Sequence, residues 1–407
     1  MELTQEEQAM LDGEHGRAAQ KAMQILETLG RIYGAERMTP VTSVQIAGVS
    51  FDNLGEAGLQ FLSEMAEGGG QARVRATLNP AGMDIENWQA LGISPEFAEK
   101  QIRVLQAFAR MGVETTCTCT PYLAGNTPGL GEHIAWAESS AVCYANSVLG
   151  ARTNREGGPS ALAAALTGRT PAYGYHLNKA RQPGLTVEVS AHLGSSGLED
   201  AFRFGALGKA IGEKIEALGM KPVTFIRGVE NASLEALKSF CASLATYGGA
   251  ALFHMEGVTP EAGRYRPPAR KLSITAEDLE SAIRSMDEAT DEEIDFVSLG
   301  CPHLSIEEIA RLANRLQGRK VRREFWITTA RPTKQLADRL GYSSIIEASG
   351  ARFATDTCCV VAPIRGRFRA LATDSAKACY YAYSKNRFKT RFRPFDQVIE
   401  EALRDSQ

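Results

Sequence analysis

The chain has 407 residues, 44% of them apolar and 23% charged, with a formal charge of −3 from 45 basic and 48 acidic side chains. That length exceeds what one hydrophobic core usually serves, so two or three packed subdomains are expected. No basic stripe interleaved with aromatics marks a nucleic-acid partner, and no apolar run reaches the roughly 18 residues of a membrane span. The acidic N-terminus lacks a signal-peptide core, so the reading is a cytoplasmic protein. Its eight cysteines are then expected to be reduced, either as core residues or as sites of metal or nucleophilic chemistry. The Arg-rich run "RGRFRALATD…KNRFKTRFRPF" reads as a solvated face or a subunit contact.

Along the chain, apolar Ala18, Met23, Ile25, Leu26, Leu29 and Ile32 recur at helical spacing between Arg17 and Arg37. A second helix is signalled by Ser94 as N-cap, Pro95 in the first turn and a stripe from Phe97 to Phe108 that ends near Gly112. A short strand ending at Cys117 and Cys119 follows, and in an extended chain those two side chains share a face. "REGGPSALAAALTG" reads as a Gly-Gly turn and a helix capped by Ser160. After about residue 220 strands and helices alternate. "PVTFIRG" and "GAALFHMEG" are short strands, and a strand from Ile294 runs to Gly300-Cys301-Pro302. A helix then starts at Ser305 with Glu308 as its capping-box partner, followed by "REFWITT", a helix from Thr333 to Leu340 and the strand "ARFATDTCC". This pattern is α/β with parallel pairing.

Cys143, Cys241 and Cys379 sit in helix-like apolar patterns and read as core. The other five fall at three strand ends: Cys117/Cys119, Cys301 and Cys358/Cys359. Ligands of open α/β sheets gather at the carboxyl ends of strands. The spacing fits neither a structural zinc site nor a ferredoxin run. A single nucleophilic cysteine would leave two strand ends unexplained. Core cysteines, and three thiolates on an iron–sulfur cluster with one uncoordinated iron, both remain open on spacing alone.

The motifs "TCTPYLAGN", "GEHIAWAESSAV", "YANSVLGARTNREGGPSALAAALTGRTPAYGYHL", "GCPHLS" and "TDTC" resemble the catalytic large subunit of the aconitase X family. The likeness runs from "GVSFDNLGEAGL" to "DSAKACYYA". It implies an aconitase-like α/β/α body with a cluster cleft at strand C-terminal ends, here residues 1–407 as approximate subdomains 1–125, 126–220 and 221–407. It also implies an iron–sulfur hydro-lyase. Its ligands would be Cys119, Cys301 and Cys358 on a 4Fe-4S cluster with one open iron, with Cys117 and Cys359 as bystanders. The fused family members carry a swivel domain supplying a serine base. Nothing after "FDQVIEEALRDSQ" resembles it, so a separate small swivel subunit carrying that serine is the expected partner. The implied substrate is (R)-5-phosphomevalonate, or alternatively cis-3-hydroxy-L-proline. A scaffold or sensor that kept the cluster and lost catalysis is the non-enzymatic alternative.

The resemblance also places Gly48-Val49-Ser50, Asn79-Pro80, Glu138-Ser139 and Lys377 in the substrate pocket. From the residues themselves, Gly48-Val49-Ser50 ends a strand where backbone N–H groups could receive an anionic oxygen. Glu138 among apolar neighbours needs a partner, or else pairs with Arg152 or Arg155, and burial would raise its pKa enough for acid–base work. Lys377, after a Ser-capped turn, suits a carboxylate or phosphate. Glu138 and Ser139 are the expected catalytic pair, while His303 and Arg155 are weaker supporting residues.

Overall fold

Three sheets of short parallel strands, each flanked by helices, carry the chain in the computed structural model, which describes residues 1–190, 200–219, 222–291 and 293–404. In the first sheet the strands run in the order Glu114–Cys117, Arg75–Leu78, Ser43–Ile46 and Ala135–Trp136. The second holds Lys271–Ile274, Leu185–Val189, Thr224–Arg227 and Phe253–Met255, also in that order. The third is five-stranded: Arg352–Thr355, Glu324–Thr329, Ile294–Leu299, Ala370–Thr373 and Lys389–Phe392. Central strands such as Ser43–Ile46 and Ala370–Thr373 are buried along their whole length. That is the continuous pattern of a sheet covered on both faces. A two-stranded antiparallel ribbon, Met38–Pro40 with Arg169–Pro171, completes the first region.

The strand order fixes where a site can form. In the first sheet the chain moves outward from Ser43–Ile46 through two strands, then returns to add Ala135–Trp136 on the other side. In the third it moves outward from Ile294–Leu299, then returns to add Ala370–Thr373. At each reversal the loops leaving two neighbouring strands part in opposite directions and open a crevice at the strands' carboxyl ends. Gly48-Val49-Ser50 and Glu138 follow the two switch-point strands of the first sheet. Cys301 and Lys377 follow those of the third.

Helix signals near the chain's turns are met. Ser94 Oγ accepts from Phe97 N at the start of Pro95–Arg110, and Ser305 with Glu308 closes both bonds of a capping box on Ile306–Leu316. Some boundaries differ. The first long helix is Arg17–Ile32, stopped by Tyr33 and by Gly34 at φ +67°. The small-residue helix is Gly158–Thr167 with Gly157 as its cap. Pro159 already fits the first turn, so Ser160 becomes the third helical residue, and its Oγ receives the Gly157 N–H at 2.9 Å. The later helix runs Arg331–Arg339 rather than from Thr333. The last cysteine-bearing strand ends at Thr355, because Asp356 turns to φ +65°; Cys358 and Cys359 therefore lie in the loop beyond it. No helix among the described residues is long and apolar enough to cross a membrane.

Candidate active site

The strand of the first cysteine pair ends at Cys117, so period-two alternation stops there and the two thiols part. Cys117 sinks into the core of the first sheet, where the charges of Asp356 and Arg331 act on it. Cys119, two residues on, instead feels Glu138, Lys377 and Cys358. Cys301 faces Cys358, Lys377, Cys359 and Cys119. Three thiols from three strand ends, two sheets apart in the chain, thus share one electrostatic neighbourhood. Cys359 is buried beside Ser298, and Cys143 and Cys241 pack together in the core of the second sheet.

Burial pushes the Cys119 thiol up to about 12, and those of Cys301 and Cys358 upward as well. Left to themselves these thiols stay protonated at neutral pH. A coordinated metal deprotonates them outright. The donor set fits an iron–sulfur cluster. Among the described residues no group of three His, Cys, Asp or Glu is placed to hold a single metal ion. The Cys119 sulfur accepts the His303 N–H at 3.3 Å, and backbone N–H groups of Val360 and Val361 point at the Cys358 sulfur. Such donors stabilise thiolate charge.

Glu138 is the N-cap of the helix Ser139–Tyr144, and its carboxylate accepts from Ala141 N at 2.6 Å and from Ser140 Oγ at 2.5 Å. Ser139 Oγ reaches it at 3.4 Å. Lys377, in the first turn of Ala376–Tyr381 behind the Ser375 cap, sets its Nζ 2.5 Å from Glu138 Oε1. The expected carboxylate partners were Arg152 or Arg155; the partner is Lys377, from the other sheet. The expected rise in the Glu138 pKa is also reversed. Burial alone would raise it, but the Lys377 charge and the three hydrogen bonds hold it below the ordinary carboxylate value. Burial would likewise lower Lys377, yet the Glu138 charge and its hydrogen bond raise it above an ordinary lysine. Both groups are ionised at neutral pH.

The anion-side residues come to the same end of the first sheet. Gly48 takes φ +78°, Val49 and Ser50 are buried, and Ser50 opens the helix Phe51–Glu67 while its Oγ donates to Val361 O at 3.4 Å. Asn79 N binds Ile46 O at 2.8 Å, while its side-chain Oδ1 is buried without a partner. Pro80 precedes Ala81, whose N–H binds Asp356 O at 2.8 Å in the loop leading to Cys358. Arg155 is exposed.

Sequence reasoning missed what holds these loops together. Arg331 bridges Asp356 Oδ2 (2.9 Å from Nε) and Asp84 Oδ1 (3.0 Å), and Asp84 Oδ2 receives Thr355 N at 2.9 Å. Asp84 lies 247 residues from Arg331 and 271 from Thr355, and Arg331 lies 25 from Asp356, so no local pattern signals them.

Family models for the first, second and third domains of aconitase X match residues 1–179, 183–284 and 294–404. The chain is 46% identical to the phosphomevalonate dehydratase large subunit of Methanothermobacter thermautotrophicus, over 93% of each protein. It is 36% identical to the cis-3-hydroxy-L-proline dehydratase of Pseudomonas aeruginosa, over 98% of this chain and 69% of that one. The crystal structure of the holo form of Thermococcus kodakaraensis aconitase X superposes with a TM-score of 0.90 at 41% identity, covering 99% of this chain and 100% of that one. With three domain models spanning nearly its whole length, and a relative 46% identical over 93% of it, the chain belongs to the aconitase X family.

Proposed function

We propose that this chain is the large subunit of an iron–sulfur hydro-lyase that dehydrates (R)-5-phosphomevalonate to an anhydromevalonate phosphate. The observation that carries the reading is the buried, ionised Glu138–Lys377 pair set against the Cys119, Cys301 and Cys358 thiols. Those three cysteines would hold a 4Fe-4S cluster. When bound, such a cluster offers a Lewis-acidic iron to a leaving hydroxyl.

The chain's own groups supply the rest. Lys377, the buried and unpartnered Asn79 carbonyl oxygen and the Gly48-Val49-Ser50 turn would hold the anionic substrate, and a substrate carboxylate on Lys377 would share that ammonium with Glu138. One Glu138 oxygen then becomes free to receive the proton that the base has removed and to pass it to the departing hydroxyl, so that water leaves, with Ser139 steadying the carboxylate. Elimination also needs a base close to the carbon-bound proton, within about 3 Å, and a water-excluding cover. The names of the large-subunit relatives support a separate small subunit for this chain, and a serine on that swivel subunit is the proposed base. The substrate choice rests on identity: 46% to a phosphomevalonate enzyme against 36% to a hydroxyproline one.

The test is anaerobic reconstitution with iron and sulfide, addition of the small subunit, and assay of both substrates side by side. Phosphomevalonate turnover only in the presence of the small subunit is expected. Turnover of cis-3-hydroxy-L-proline alone would move the substrate assignment. A loaded, partnered enzyme inert toward both would favour a scaffold or sensor.

A further inference from the structure

We propose that His303 is a positioning residue that locks the three thiol-bearing loops into one register. The inference rests on the cluster reading above and concerns how the apo chain prepares for it.

His303 lies two residues after Cys301 and is fully buried. Its backbone N–H points at Cys119 Sγ, 3.3 Å away. Its ring Nδ1 stands 3.0 Å from Thr118 Oγ1, in the loop that carries Cys119. Its ring Nε2 stands 2.9 Å from the carbonyl of Thr357, the residue before Cys358. One side chain therefore sits on its own loop and touches both of the others. Its backbone carbonyl is itself held by Lys238 Nζ at 3.1 Å, from a helix over the second sheet.

The bonds have a direction. A carbonyl only accepts, so Nε2 carries the hydrogen and donates to Thr357 O. In a neutral ring Nδ1 then accepts the Thr118 hydroxyl hydrogen, while Thr118 Oγ1 receives the Thr120 N–H at 3.1 Å. This chain of donors runs from the first sheet's loop through the imidazole to the third sheet's loop. An apolar side chain of the same bulk would fill the space but fix neither distance. Partners one shell out from metal ligands commonly set affinity by about 10- to 100-fold.

The experiment compares the full-length wild type with His303→Leu, His303→Gln and Thr118→Val, each reconstituted anaerobically. Iron and acid-labile sulfide per chain, visible absorbance and the rate of iron loss to a chelator are read, with circular dichroism of each apo chain as a control for folding. His303→Leu is expected to lose iron about tenfold faster than wild type, with unchanged secondary structure. His303→Gln should recover part of the loss, because its amide can still donate to Thr357 O. Thr118→Val should fall between, and it decides the question if His303→Leu does not fold. Wild-type loading and loss rates in the leucine and valine variants would overturn the inference alone. A wild type that takes up no cluster would overturn the cluster reading and this inference with it.

Discussion

Lys377 Nζ and Glu138 Oε1 meet at 2.5 Å across the junction of two sheets, from residues 239 apart in the chain. Each balances the other's charge in a buried setting, and both are kept ionised by the contact. Removing one partner of such a pair strands a charge, at roughly 3–5 kcal/mol, whereas replacing both is far milder. Glu138→Gln and Lys377→Met should each lower the thermal midpoint of the apo chain, and the double variant should lie well above the sum of the two. Additive midpoints would mean the pair is not coupled. All three variants should be inactive after reconstitution with the small subunit.

The Lys377 ammonium acts on the Cys119, Cys301 and Cys358 thiols, whereas Asp356 acts on Cys117 and Cys358 on Cys359. Cys119→Ala, Cys301→Ala and Cys358→Ala should each abolish cluster uptake, read as iron and sulfide per chain. Cys117→Ala and Cys359→Ala, which trim core contacts, should load normally. Normal loading in Cys301→Ala would remove the assignment.

Local signals were readable and long-range ones were not. Ser94, and Ser305 with Glu308, act on N–H groups three residues away, so their caps stand where the sequence puts them. The Ser160 cap was misplaced by three residues, because Pro159 and the Gly-Gly turn permit an earlier start. The identities of the site residues came from motifs, but their partners did not. Cys117 and Cys119 look equivalent in the sequence and separate only because the strand stops at Cys117. The sequence offers Glu138 only nearby arginines as partners, since nothing local points to a lysine on the far sheet. The triple contact of His303 likewise depends on loops from two different sheets meeting.

Stability should fall in acid through a group remote from the thiols. His176 is buried, with His133 Nδ1 2.9 Å from its Nδ1 and with no partner at Nε2. Burial, then the charges of His133, Arg181 and Arg152, hold its pKa down to about 3. The unfolded chain binds that proton near pH 6.5, so between pH 6.5 and 3 the folded state holds fewer protons and loses stability as pH falls. At pH 4.5 the loss is roughly 2–3 kcal/mol. His176→Asn should flatten the pH dependence of the melting midpoint between pH 7 and 4.5. Parallel curves for variant and wild type would show that other groups carry the acid sensitivity.

Gly300 gives the sharpest test of the cysteine loop's backbone. It takes φ +106°, and a Cβ there would lie 2.2 Å from Thr328 O and 2.5 Å from Thr328 Oγ1. Thr328 cannot withdraw freely, because its hydroxyl already donates to Gly300 O at 2.6 Å and its strand is paired on both sides. Gly300→Ala therefore combines a disfavoured backbone region, about 1–3 kcal/mol, with a backbone collision that only a shift of the Cys301 loop can relieve. That shift moves Cys301 and His303 together. The variant should melt lower than wild type and take up little iron on reconstitution. Gly318→Ala, at φ +72° with nothing within 4 Å of its Cβ, should show only the conformational part and load normally. Equal iron content in the two variants would mean that the loop tolerates the displacement and that its register does not govern cluster uptake.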